Sequence, residues 1–206
     1  MKKRFGYIAI GLFIIASSNV QAASSVDLRV TGSITPSACV PQLSSGGLID
    51  YGKISVKDLR WDKVMPVQRL QLSVNCDAAT FFAIKSTDNR SGTAHNNSSS
   101  AFGLGLGVND HKLGMYNLTM ENALADGAVA RLVESVDSTT WFPVSEGQAW
   151  QPTWMRTANA SGPDFAPVAM QTFEADMVVA TTIAQLRNLA AEVSLDGSAT
   201  LDIVYL

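Results

Sequence analysis

Apolar and polar residues alternate along most of this chain, which is the pattern of β-strands with one buried face. The first such stretch is SVDLRVTGSITPSAC, Ser25 to Cys39. It has no turn before it and no adjacent hairpin partner, so the sequence predicts a strand whose apolar face is covered by something other than its neighbours. The residues on that face are Val26, Leu28, Val30, Gly32 and Ile34.

Similar strand patterns follow at short intervals to the C-terminus. They are RLQLSVNCDA, TFFAIKSTDNRSGT, FGLGLGV, KLGMYNLTM, ARLVESVDSTTWFPV, FEADMVVATTI and SATLDIVYL. A Gly-Gly turn leads into a further alternating segment from Leu48 to Val56, and only Ile183 to Ala191 has helical spacing. Many short strands joined by Gly- and Asn-rich turns predict an all-β fold, a single antiparallel sandwich.

The N-terminus has the pattern of a secretory signal peptide. Three basic residues precede an apolar run, and the run is followed by Val-Gln-Ala ending at Ala22. The apolar run is shorter than the ~20 residues that a membrane anchor needs. We therefore expect residues 1–22 to be removed, residues 23–35 to form an N-terminal arm, and residues 36–206 to form the sandwich, with no membrane span in the mature protein.

Charge and cysteine content narrow the functional classes. Removing the three basic residues of the signal leaves 12 basic and 18 acidic side chains, a net charge of −6, which argues against nucleic acid as a partner. Cys39 and Cys76 both lie in the exported part, where an oxidising compartment favours a disulfide; buried free thiols are the alternative.

The sequence contains no pattern that indicates catalysis. FGLGLG, Phe102 to Gly107, does not open a helix and carries no Lys-Ser/Thr, so its glycines indicate a flat strand face or a close backbone approach. We find no nucleophile elbow, metal-ligand spacing or cofactor motif, and predict a non-enzymatic protein without a cofactor or metal. Trp141, Trp150 and Trp154 could stack on a glycan, although large aromatic residues more often belong to a core.

The two ends of the chain resemble the chaperone-usher fimbrial subunits. VDLRVTGSIT resembles their donor-strand arm, with a glycine near its C-terminal end at Gly32, and SVNCD resembles the strand with the second cysteine. ATLDIVYL resembles the C-terminal strand that pilus chaperones cap through alternating residues, here Leu201, Ile203 and Tyr205. The runs ITPSACVPQLSSGGLIDYG and LDGSATLDIVYL also resemble a GltF-like family of pilin-related periplasmic proteins.

This resemblance implies an immunoglobulin-like, pilin-type sandwich and a structural role. The arm would complete the groove of another fimbrial subunit by β-strand addition, with a periplasmic chaperone and an outer-membrane usher as assembly partners. The implied location is the periplasm or a cell-surface fimbrium. In the alternative, a soluble periplasmic protein folds the arm back into its own sandwich and has an unknown binding role.

Overall fold

The computed structural model describes Arg29, residues 38–186 and residues 191–206. The chain divides after Ile34 into two units, Met1–Ile34 and Thr35–Leu206. The predicted signal peptide and the arm residues Val26, Leu28, Val30, Gly32 and Ile34 lie outside the described residues.

The described residues form twelve β-strands. They are β1 (Cys39–Leu43), β2 (Lys63–Val64), β3 (Gln68–Thr80), β4 (Phe82–Asp88), β5 (Phe102–Gly103), β6 (Gly114–Ala125), β7 (Ala128–Val129), β8 (Leu132–Ser135), β9 (Phe142–Pro143), β10 (Met155–Ala158), β11 (Met170–Ile183) and β12 (Ala199–Tyr205). Short 3-10 turns occupy Ser44–Gly47, Val56–Asp58 and Val108–Asp110. No helix in this part of the chain is long and apolar enough to cross a membrane.

The strands build two antiparallel sheets that form a sandwich, which confirms the predicted all-β fold. The larger sheet has the order β1-β3-β11-β6-β5, with β2 beside β11 and β7 beside β6. The smaller sheet has the order β12-β4-β10-β8-β9. Alternation explains the core between them, because the inward residues of β3 and β11 are buried and their neighbours, apart from the buried Val178, are exposed or partly exposed.

A disulfide joins Cys39 to Cys76, as the sequence predicted. The two residues lie opposite each other in the β1–β3 pair, so the bond holds the start of β1 against β3. The bridge closes a loop of 37 residues, which by chain entropy alone stabilises the fold by about 4 kcal/mol.

Two sequence-based predictions were wrong. The alternating residues from Leu48 to Val56 do not form a strand, because within the described chain they have no neighbouring strand to pair with. The helical spacing from Ile183 to Ala191 does not produce a helix where it can be seen: Ile183 ends β11 and residues 184–186 are irregular. Residues 187–190 lie outside the described residues.

Candidate functional site

A cleft of about 830 Å³ opens into the sandwich between β12 and the irregular segment Leu48–Ile54. Its floor comes from the larger sheet, through residues such as Leu70, Leu118 and Met177. Leu59 and Leu186 also line the cleft, and the Leu186 N–H donates a hydrogen bond to the Leu59 carbonyl at 3.0 Å. The cleft is therefore a gap in the side of the core.

The first wall of the cleft is β12, the edge strand of the smaller sheet. Hydrogen bonds from Asn89 N to Ser198 O and from Leu206 N to Phe81 O show that even-numbered residues face β4. In an antiparallel pair, the alternate residues direct their backbone groups to the other side. The N–H and C=O groups of Leu201 and Ile203 therefore point to the open edge, and they have no backbone partner within the described chain.

The side chains of this strand leave the core incompletely covered. Leu201 and Ile203 pack against the core but stay partly exposed, whereas the facing positions of β4, Ser86 and Ile84, are fully buried. Tyr205 is 40% exposed and its hydroxyl accepts a hydrogen bond from the Cys39 N–H at 2.9 Å. The structure thus places Leu201 in the cleft wall, whereas Ile203 and Tyr205 lie further along β12 and do not line the cleft.

The second wall is the segment Leu48–Ile54. Ile49, Tyr51 and Ile54 pack against the core and remain partly exposed. The Tyr51 hydroxyl donates to Oγ1 of Thr181 on β11 at 3.0 Å, so this side chain ties the wall to the floor. Within the segment, the Gly52 N–H is satisfied locally by the Asp50 side chain at 2.7 Å. Within the described chain, the segment Leu48–Ile54 therefore pairs with no strand, and β12 pairs with a strand on only one of its edges.

Charged side chains are confined to the exposed rim. They are Asp50, Lys53, Glu192 and Asp196. Asp196 forms a two-point ion pair with Arg90, with both N···O distances at 2.8 Å. The hydrogen bond from Arg90 lowers the pKa of Asp196 below its usual value, and the same pair raises the pKa of Arg90. An apolar floor below a charged rim suits an apolar or alternating ligand.

The glycines of FGLGLG hold the end of the cleft together. A Cβ on Gly103 would lie 2.4 Å from the Arg90 carbonyl oxygen, so only glycine allows this approach. Gly105 has φ +85°, and the adjacent Leu104 carbonyl accepts a hydrogen bond from Asp196 N at 3.0 Å. The predicted close backbone approach is confirmed, and it anchors the segment that leads into β12.

The tryptophan cluster is distributed between core and surface. Trp150 is fully buried, and its indole N–H donates to the Trp154 carbonyl at 3.0 Å. Trp141 and Trp154 are half-buried. Trp150 thus offers no exposed ring for a sugar to stack on, and the three residues do not form a common exposed surface.

A buried ion pair lies beside Trp150, and the sequence did not indicate it. Arg156 on β10 lies opposite Ile84 on β4 and opposite Glu134 on β8. Residues directly opposite each other share a face of the sheet, so Arg156 and Glu134 point into the core between the sheets as Ile84 does. Nε and Nη2 of Arg156 donate to one oxygen of Glu134 at 3.1 and 3.0 Å, and the guanidinium lies 5.5 Å from the Trp150 ring centroid. Burial lowers the pKa of Arg156, and Glu134 opposes that shift.

Comparisons with known proteins find relatives but name no activity. Residues 28–117 match the family described as "Protein of unknown function (DUF1120)". The chain is 26% identical over 243 aligned residues to Protein GltF of Escherichia coli (strain K12), covering 93% of each chain. It is 23% identical over 238 aligned residues to the Uncharacterized protein YhcF of the same organism, covering 97% of each. The similarity to both relatives extends over nearly the whole length.

Proposed function

We propose that this protein is an exported, fimbrial-type structural subunit whose cleft accepts an extended strand from another copy. The observation that carries the proposal is the cleft between two walls that have unpaired backbone and an apolar floor. An added strand would supply main-chain hydrogen bonds to β12 and alternate side chains to the floor. It would also cover an exposed sheet edge, which is otherwise an aggregation hazard.

The arm from Val26 to Ile34 has the dimensions of such a strand. As an extended strand its nine residues would span about 30 Å, and the seven residues of β12 span about 23 Å. Burial of Val26, Leu28, Val30 and Ile34 would contribute roughly 6–12 kcal/mol before the costs of ordering. A shift of one residue would turn all of these side chains outward, so the register would be strongly defined.

The position of Ala38 favours insertion into a second copy. The Cys39 N–H is bonded to the Tyr205 hydroxyl, so the chain enters β1 beside the C-terminal end of β12. An arm that folded back along its own β12 would run in the same direction as that strand. An arm from another copy is free to run antiparallel, and antiparallel pairing is slightly more stable per residue.

The experiment uses the alternation of the arm as its own control. In the full mature chain, Leu28→Asp with Val30→Asp places two carboxylates on the apolar face, and Arg29→Asp with Thr31→Asp places two on the opposite face. We expect multimers that survive SDS without boiling in the wild type and the second variant, and their loss in the first. Equal behaviour of the two variants would refute strand insertion.

The same samples test the alternative in which the arm folds back into its own sandwich and the protein stays a monomer. In that case the wild type sediments as a monomer at every concentration, and the Leu28→Asp, Val30→Asp variant melts at a much lower temperature. The fimbrial-subunit proposal, unlike the monomeric alternative, includes a pilus chaperone and an usher as partners and a periplasmic or cell-surface location. Expression with and without a chaperone gene, followed by recovery from the periplasm, tests them.

A further inference from the structure

An exposed apolar surface surrounds the point where the described chain begins. Phe81, Tyr205 and Leu206 are 50%, 40% and 41% exposed. The Leu206 N–H donates to the Phe81 carbonyl at 3.1 Å, and the Tyr205 hydroxyl accepts from the Cys39 N–H, so these residues adjoin one another and the start of β1. We call these three residues the exit patch.

We propose that the exit patch is a docking surface for a second copy of this chain, namely the copy whose cleft receives the arm. This inference rests on the proposed function. Ile34 is the last residue of the alternating arm, and four residue steps separate it from Ala38. Four extended residues reach at most about 14 Å. A neighbour that holds Ile34 in its cleft must therefore sit within about 14 Å of Ala38, over the exit patch.

The location of the exit patch and its apolar side chains both suit a contact with a neighbouring copy. The start of β1 is fixed, because the Asp77 N–H donates to the Ala38 carbonyl at 3.0 Å and the disulfide holds the next residue. The described chain therefore enters the sandwich at a defined point. Apolar side chains beside that point give the neighbour a contact that the arm alone does not supply.

The proposed contact also has a definite symmetry. One copy would contribute the exit patch, and its neighbour would contribute the end of its cleft, so the two surfaces differ. Contacts between different surfaces are head-to-tail, and they produce an open filament when the rotation between copies does not close a ring. The exit patch would thus fix the angle between successive subunits, whereas the arm provides their connection.

Phe81→Ser in the full mature chain tests the patch, and Phe142→Ser is its matched control. Phe142 is 48% exposed, close to the 50% of Phe81, but it lies on β9 at the opposite edge of the same sheet. Sedimentation velocity over a concentration series measures assembly. We expect Phe81→Ser to weaken association at least about tenfold, as for an aromatic interface anchor, and Phe142→Ser to leave it within about twofold.

A second variant, Leu206→Ser, alters the last residue of the chain and should give the same direction of change without affecting folding. If Phe81→Ser and Leu206→Ser both assemble like the wild type while Leu28→Asp with Val30→Asp does not, the exit patch is wrong and strand insertion stands. If the wild type is monomeric throughout, the proposed function fails and the docking surface fails with it.

Discussion

The buried Arg156–Glu134 pair allows a sharp test of what stabilises the sandwich. The Arg156 side chain is 0% exposed and that of Glu134 is 6% exposed. Besides the two contacts with Arg156, Glu134 accepts from Gln148 Nε2 at 2.6 Å, and Arg156 donates to the Ala149 carbonyl at 3.2 Å. The pair therefore ties the segment before β10 to the core side of the smaller sheet.

Replacing one member leaves the other as a buried charge without its partner. We expect Arg156→Met and Glu134→Leu each to lower the free energy of unfolding by about 3–5 kcal/mol. For a domain of this size, that corresponds to a fall in Tm of about 6–20 °C. The double variant removes both charges and keeps apolar volume, so its stability should lie near that of the wild type or somewhat above it.

Urea unfolding of the four proteins, followed by tryptophan fluorescence, completes the double-mutant cycle. The expected result is a double variant much more stable than the sum of the two single changes predicts. Two outcomes would contradict the reasoning: single variants that lose less than about 1 kcal/mol, or a double variant whose loss equals that sum. Either would mean that an unpaired buried charge does not cause the loss of stability.

Two further predictions concern the segment that leads into β12. Gly103→Ala should lower the free energy of unfolding by about 3 kcal/mol, because its Cβ meets a backbone oxygen. The control Gly127→Ala, at φ +76° with open space around it, should lower it by about 1 kcal/mol. Equal losses in thermal melts would contradict this expectation. Asp196→Asn should lower Tm at pH 7. The pKa of Asp196 is lower in the folded state than in the unfolded state, so the ion pair contributes its full stabilisation at pH values well above the unfolded pKa of about 3.9. This stabilisation disappears as the pH falls through the folded-state pKa. The difference in Tm between wild type and variant should therefore shrink progressively as the pH is lowered below about 3.9, and a constant difference would refute the ion pair.

Alternation was sufficient to predict most of the strands. RLQLSVNCDA and FEADMVVATTI lie within β3 and β11, and SATLDIVYL contains β12. The same pattern failed from Leu48 to Val56, because a strand also needs a neighbour for its backbone groups. An alternating pattern indicates which side chains are buried and not whether the backbone is paired. In this segment, side chains partly buried in a cleft wall produce the same pattern as a paired strand.

The candidate site was predictable only in outline. The sequence indicated the cysteine pair and the C-terminal strand, since both depend on local pattern and compartment. It did not indicate the Arg156–Glu134 pair, because charged residues are usually exposed and their partners are 22 positions apart. The hydrogen bond between Tyr51 and Thr181 joins residues 130 positions apart, and only the fold brings them together.

The geometry of β12 favours a strand over a small apolar ligand as the occupant of the cleft. Leu201 exposes its side chain to the cleft and directs its own backbone groups to the open edge. A compact apolar ligand would cover the side chains and leave the N–H and C=O groups without protein partners. An extended chain in register satisfies both, because its own alternation supplies inward side chains while its backbone pairs with the edge. Filling the core and closing the sheet would then be a single event.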